Sequence, residues 1–290
     1  MEYPIRKILP DDFPPLLAEM PGKPKQLYVR GTLPEPAHYK FLCVVGSRAA
    51  GAYGLRACQS LISGLSGIPV VVVSGLALGL DACAHEAALM ARLPTVAVLP
   101  SGLDDTTIYP ASNRLLAARI LKMDGALVSE FEPGMRATNW SFPSRNRIMA
   151  GFSHATLIVE AGEQSGTLIT ARLALDFNRE VLCAPPPIDS QKGAGNNRLI
   201  REGATLVRDA ADILYALDII SDPGLAGARQ ELPPDLSGDE RALCLALVEP
   251  LTRDELIEAT EISAQAAGIA LSTLLIRGLI VERLGKIERT

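Results

Sequence analysis

The chain has 290 residues and a formal net charge of −5, with 48% hydrophobic but only 4% aromatic residues. That length suits one large domain, or a domain of about 200 residues with a small companion, and a core that needs no disulfide staples. The acidic balance argues against a bulk nucleic-acid binder with a basic face, though a local arginine cluster can still hold phosphates on an acidic protein.

No apolar run reaches the about 18 residues of a membrane span. The start, MEYPIRKILPDDFPP, carries acids and prolines where a signal peptide has its apolar stretch. A cytoplasmic location with no membrane partner is therefore expected.

Residues 1–40 are proline-rich and irregular and read as a lead-in, with QLYVRGTLP (26–34) as a short strand and turn. From 41 an alternation begins. The apolar, β-branched runs are FLCVVG (41–46), IPVVVVSG (68–75), TVAVLPSG (95–102), ALVSE (126–130), HATLIVEAG (154–162) and EVLCAP (180–185). Helical patterns fall between them at 51–66, 79–92, 110–123, 143–151 and 165–178. Repeated strand–helix–strand units imply an α/β core, a doubly wound, Rossmann-like parallel sheet covered on both faces. PPIDSQKGAGNNRLIREG (186–203) reads as a loop entering a short helix, and 204–217 as one more strand and helix. The core domain is expected to span 41–218.

Residues 219–238 (IISDPGLAGARQELPPDLSG) have the composition of a linker. Residues 239–290 then read as three helices and two short strands about a Gly-Lys turn. Thr252 and Glu255 have the spacing of a capping box. This is the outline of a small winged-helix domain. Residues 236–290 carry nine acids against six bases, and the third helix offers only Gln265 and Arg277 to base edges. The domain is expected to touch protein, or its own core domain, rather than duplex DNA.

Cys43, Cys58, Cys83, Cys183 and Cys244 are scattered, without a CxxC, and His38, His85 and His154 show no ligand spacing. The cysteines read as small buried hydrophobes. No metal and no cofactor is expected.

Doubly wound sheets bind ligands beyond the C-terminal ends of their strands. The first strand ends in Gly46-Ser47-Arg48, and the second in Ser74-Gly75 followed by Gly79, Asp81 and His85. The third ends in Ser101-Gly102-Leu103-Asp104, the fourth in Ser129-Glu130, and the fifth in Glu160-Ala161-Gly162 followed by Ser165-Gly166-Thr167. The sixth leads into the 186–197 loop. Glycines let backbone N–H groups approach a ligand, and helix N-termini present unpaired donors. Arg48 adds a bidentate fork. FPSRNR lies between strands four and five, so Arg145 and Arg147 are expected to approach the same rim. Residues two apart on a helix do not share a face. One of the two arginines is therefore expected at the ligand, while the other pins the backbone or pairs with Glu130 or Glu160. The dinucleotide fingerprint, the P-loop and the nucleophile elbow are all missing. The pattern suits binding rather than catalysis.

Seven motifs carry a resemblance: VVGSRAAGAYG, VVSGLALGLDACAHEAAL, TVAVLPSGLDDTTIYPASNRLL, VSEFEPG, FPSRNRIMAG, LIVEAGEQSGTLITARLAL and GNNRLIREGATLV. In this order the chain closely resembles the DNA-processing protein A family (DprA, also called Smf) over about 40–217, and QLYVRG fits as well. The resemblance implies a short form without the N-terminal helical domain of longer members, and an extended Rossmann core. It also implies a non-catalytic protein that binds and protects single-stranded DNA, helps load the RecA recombinase during natural transformation, and acts as a homodimer. On this resemblance Ser47, Arg48, Arg145, Asn146 and Arg147 line the DNA groove, with Phe142 a possible stacking platform and Trp140 just before it.

The sequence departs from the family at Leu78, where a basic residue is usual, and at Pro185-Pro186. The wider superfamily includes the LOG phosphoribohydrolases. Ala171 stands where their motif has its glutamate, which disfavours that chemistry. Two other readings fit fewer residues: a sensor of a nucleotide or nucleotide derivative, and an N-glycosidic hydrolase using Glu130 or Glu160.

Overall fold

The computed structural model describes residues 3–220, 233, 235–247, 251–260, 262–283 and 285–289. The chain divides into two compact units, Met1–Ser221 and Asp222–Thr290.

The first unit opens with β1 (Ile5–Ile8), α1 (Pro15–Glu19) and β2 (Leu27–Gly31). The core continues as β3 (Lys40–Val45), α2 (Ala52–Ser63), β4 (Val70–Ser74), α3 (Leu80–Met90), β5 (Thr95–Val98), α4 (Arg114–Lys122) and β6 (Ala126–Ser129). Then follow α5 (Ser141–Phe152), β7 (Ala155–Ile158), α6 (Thr167–Asp176), β8 (Glu180–Cys183), α7 (Ala194–Arg201), β9 (Thr205–Leu206) and α8 (Ala210–Ala216). Nine strands form one sheet in the order β1-β2-β6-β5-β4-β3-β7-β8-β9. The run from β6 to β9 is parallel throughout.

Central strands buried on both faces read as continuous apolar runs, which is why their positions show in the sequence. Side chains alternate between the faces. Phe41, Cys43 and Val45 pack with Ile148, Met149 and Phe152 of α5 and Ala171 and Ala174 of α6. Leu42 and Val44 pack with Cys58, Leu61 and Ile62 of α2 and Leu80 and Ala84 of α3. All five cysteines are buried.

Residues 1–40 do more than lead in. β1 and β2 form an antiparallel ribbon, and β2 pairs antiparallel with β6, Val29 opposite Val128. Phe13, Leu17 and Met20 join the α5 face of the core. Gly151 makes room for Met20, whose thioether fills the space of a Cβ. The ribbon is short, and β1 has no fully buried residue to give it a pattern.

The second unit holds α9 (Gly238–Ala246), α10 (Arg253–Thr260), α11 (Ala264–Ile276) and an antiparallel ribbon of β10 (Ile280–Arg283) and β11 (Lys286–Arg289). Leu243, Leu256, Leu271, Leu274, Ile280 and Ile287 form its core. The Thr252–Glu255 capping box is present: the Glu255 N–H donates to Thr252 Oγ1 at 3.3 Å, and the Thr252 N–H to Glu255 Oε2 at 2.8 Å. A second box, Ser237 with Glu240, starts α9. The expected linker at 219–238 falls largely on 221–232, outside the described residues. Among the described residues no single helix is long and apolar enough to cross a membrane.

Candidate functional site

The strand order reverses between β3 and β7, which run parallel side by side. The crevice beyond their C-terminal ends is where this architecture places ligands. Three turns meet there and hold one another.

The turn after β3 carries Gly46, Ser47 and Arg48. The Ser47 N–H donates to the Glu160 carbonyl at 2.8 Å, and the Leu80 N–H donates to the Ser47 carbonyl at 3.2 Å. Gly46 has no room for a side chain, because Leu80 fills that space. Gly79 has φ +74°, and a Cβ there would lie 2.6 Å from the Arg48 carbonyl oxygen. The turns after β3 and β4 therefore interlock through backbone contacts and the Leu80 side chain. Lys192, from the loop after β8, donates to the Ala49 carbonyl at 2.9 Å.

Arg48 is exposed. Its guanidinium carbon lies 4.8 Å from the centroid of the Phe142 ring, a cation–π arrangement. It makes no ion pair among the described residues. Tyr109 meets Phe142 edge-on, with centroids 5.5 Å apart. Exposed Leu78 borders the same depression. Its loop is fixed from behind by Asn113, whose Nδ2 donates to the Leu76 carbonyl at 2.8 Å.

The other expected ligand groups divide. Asn146, Gly166 and Thr167 line the adjoining depression with Gly46 and Arg48, so the structure brings these five together. Ser165 orders the start of α6, accepting from the Thr167 N–H at 3.2 Å. Ser47 Oγ accepts from the Ala49 N–H at 3.2 Å and shapes its own turn.

Ser74, Gly75, Arg145 and Arg147 are each held by protein groups, and of these Gly75 and Arg145 also line the depression beneath Arg48. Ser74 is fully buried, and its hydroxyl donates to the Val44 carbonyl at 2.6 Å. Gly75 is a vacancy that Arg145 fills: a Cβ there would coincide with Nη1. Arg145 is only 4% exposed. Its Nη1 donates to the Val98 carbonyl at 3.0 Å and stands 3.9 Å from Asp81 Oδ2. Asp81 in turn accepts from the Gly75 N–H at 3.2 Å. Burial pushes the Asp81 carboxyl up and the Arg145 guanidinium down, and each charge partly offsets the shift of the other. The Cys43 thiol is pushed up to about 12, first by burial and then by Asp81, so it stays protonated. Arg147 pairs with Glu130 and donates to the Gly22 carbonyl at 2.7 Å, tying α5 to the N-terminal segment. Both arginines of FPSRNR thus secure the floor and flank of the site. Arg48 is the cation presented above it.

Glu160 is buried, and its Oε1 accepts from the Gly51 N–H at 2.8 Å where α2 begins. A carboxylate at a helix start is electrostatically favoured there. Glu130 and Glu160 are therefore both committed to structure.

Two residues escaped the sequence reading. Tyr109 builds the aromatic wall from the loop after β5. Asn196, fully buried, accepts from the Ala161 N–H at 2.7 Å and donates to the carbonyls of Ile158, Val159 and Ala184. It ties the ends of β7 and β8 together beneath the site. The clue was GNNR after a glycine loop.

His85 is a core residue. Thr95 Oγ1 donates to the Val72 carbonyl at 2.8 Å, so it accepts from His85 Nδ1–H at 2.7 Å. Burial drives His85 down to about 3. His154 is lowered to about 4, mainly by burial, and its Nδ1 accepts from the Phe41 N–H at 3.0 Å. A folded-state pKa below the unfolded value means that the unfolded chain takes the proton first. Stability is therefore full above about 6.5 and is lost as pH falls toward these values. Between pH ~6.5 and ~4.5, His85→Gln should remove a slope of about 1.4 kcal/mol per pH unit from urea-unfolding free energies. An unchanged slope would refute the assignment.

The chain matches the family model of DNA recombination-mediator protein A over residues 5–218. It is 42% identical over 220 residues to Protein Smf of Escherichia coli, covering 75% of this chain and 58% of that protein. The X-ray structure of DNA processing protein A (DprA) from Streptococcus pneumoniae matches with TM-score 0.67 and 36% identity, over 73% of this chain and 74% of that one. DNA processing protein A from Helicobacter pylori, whose structure addresses its unique single-stranded DNA binding mode, matches with TM-score 0.66 and 27% identity, over 73% and 95%. The chain thus spans little more than half of the Escherichia coli relative and about three quarters of the Streptococcus pneumoniae one. The family match starts at β1 and runs through the whole sheet, taking in the ribbon as well as the interlocked turns: the chain belongs to the DNA recombination-mediator protein A family, the DprA/Smf proteins.

Proposed function

We propose that the protein is a non-catalytic mediator that binds single-stranded DNA on the Arg48–Phe142 edge of the sheet. The observation that carries this reading is an exposed arginine, without an ion-pair partner among the described residues, stacked on an aromatic ring at the topological switch point. A single strand offers phosphates to such a cation and base faces to such rings. The Helicobacter pylori relative supports the choice of ligand. The structural commitments of Glu130 and Glu160 support a role without catalysis. In this reading the protein works in the cytoplasm as a homodimer, protecting incoming DNA and helping to load RecA. The second unit acts as a winged helix toward a protein partner. Arg277, at the end of α11, is held by Asp235 at 2.9 Å rather than offered to a duplex.

Fluorescence anisotropy with a labelled oligo-dT of about 20 nucleotides tests the reading. Wild type should bind tightly, and less tightly as salt rises. Arg48→Ala should weaken binding about tenfold or more and lower the salt slope by ~0.7. Absence of wild-type binding would overturn it.

A second reading, a sensor of a nucleotide or nucleotide derivative, draws on the crevice itself. Asn146 and Thr170 line it, and neither side chain makes a hydrogen bond among the described residues. A mononucleotide that raises the melting temperature while oligonucleotides do not would favour this reading.

A further inference from the structure

The chain has one tryptophan, six tyrosines and six phenylalanines. Four of these thirteen gather on one edge of the sheet, as two edge-to-face pairs. Tyr109 with Phe142 is one pair, at 5.5 Å and 70°. Phe131 with Trp140 is the other, at 5.3 Å and 82°. Tyr109 follows β5, Phe131 follows β6, and Trp140 and Phe142 open α5, so both pairs stand where the C-terminal ends of the strands lead.

Within each pair one ring is the support and the other is the surface. Phe131 is 8% exposed, whereas Trp140 is 60% exposed. Phe142 is half-buried beneath Arg48, whereas Tyr109 is 45% exposed. An edge-to-face neighbour fixes the orientation of a ring and leaves a face open. Leu78, 49% exposed, adds apolar surface beside Arg48. A surface that only tracked phosphates would line this rim with cations. Here exposed Arg48 stands beside Leu78, Tyr109 and Phe142, with Arg145 buried beneath it.

We propose that Trp140 and Tyr109 are base-stacking residues, each taking an unpaired nucleobase of the strand whose phosphate lies at Arg48. The inference rests on the single-stranded DNA reading above and adds the part of the ligand that the rim selects. Bases already stacked in a duplex cannot present their faces to these rings, so the pairs discriminate for single strands. Because Phe131 and Phe142 hold their partners in place beforehand, little side-chain freedom is lost on binding.

Trp140 is also the chain's only indole, so it reports on its own occupancy. Its emission should be quenched as unlabelled oligo-dT saturates the wild-type protein. An abasic oligonucleotide of the same length should bind more weakly and leave the emission unchanged. By anisotropy, Trp140→Ala should lose affinity roughly five- to hundredfold, the range of one stacked base. Its salt slope should stay that of wild type, unlike Arg48→Ala. Trp140→Phe should keep most of the affinity, which guards against a folding defect in the alanine variant. Binding of oligo-dT with unchanged tryptophan emission and wild-type affinity in Trp140→Ala would overturn the stacking role while leaving the single-strand reading intact. Failure of wild type to bind in the anisotropy arm would overturn both.

Discussion

Arg145→Met should cost the first unit about 3–5 kcal/mol of stability, the usual penalty for removing one partner of a buried ion pair. The side chain fills the vacancy at Gly75, holds the Val98 carbonyl and faces Asp81. Methionine supplies comparable apolar volume but leaves a carboxylate buried with only backbone amides. The variant also has a pH signature. Asp81 is already held above the ordinary carboxylate range by burial, and without the guanidinium it rises further. A raised folded-state pKa means that the native protein takes the proton more readily than the unfolded chain. Stability from this group is therefore greatest at low pH and is lost as pH rises through the folded-state value. Arg145→Met should recover part of its loss on acidification above the ordinary carboxylate range, near ~4, where wild type is losing stability through His85 and His154. Urea unfolding at a series of pH values reads both effects. Gly75→Ala should be as severe, because its Cβ would displace the same guanidinium. If both variants unfold within about 0.5 kcal/mol of wild type, the Arg145 seat has been misread.

Asn196→Leu should cost about 3–5 kcal/mol, from one accepted bond, two N–H donors shared among three carbonyls, about 1 kcal/mol each, and the buried groups they leave behind. One amide accepts from Ala161 and donates to three carbonyls at the ends of β7 and β8. Leucine of similar size satisfies none of them. Asn196→Asp separates shape from chemistry. It keeps the acceptor toward Ala161 but turns three attractive contacts into repulsive ones, so it should be at least as damaging as leucine. Both variants should also weaken single-strand binding, because Ala161 leads directly into the turn that starts α6. A loss below about 1 kcal/mol for leucine would mean that the strand ends close without this clamp.

The central strands were legible because burial on both faces writes itself as unbroken valine and leucine. VVVV before Ser74 is the clearest instance. The helices between them fell within a few residues of their observed ends, where glycine and proline punctuate the chain. The β1–β2 ribbon was not legible: two short strands with half-exposed side chains look like irregular chain until β6 is there to pair with them. In the site, Arg48 could be picked out because the residues just after a strand must lie at the sheet's rim, whereas Asn146, inside α5, was picked out through the FPSRNR motif. Arg145 and Arg147 could be seen to face apart, but not all that each would meet. Glu130 was one of the two carboxylates expected to pair with an arginine, but the empty place at Gly75, seventy residues from Arg145, and the Gly22 carbonyl are not neighbours in sequence. Tyr109 and Asn196 were passed over for the same reason. An aromatic in a loop and an amide at a helix start acquire meaning only from the backbone that folds over them.

The interlocked turns carry one more consequence. The amide of Ser47 is tied to the carbonyl of Glu160, and the amide of Leu80 to the carbonyl of Ser47. The Ser47 proton exchanges when the turns after β3 and β7 part, and the Leu80 proton when those after β3 and β4 part, so both report on the β3 turn. A ligand seated on Arg48 bears on that shared joint rather than on one loop. Its arrival should be recorded as slower deuterium uptake at Ser47 and Leu80 alike, two positions thirty-three residues apart that a single clasp makes into one clock.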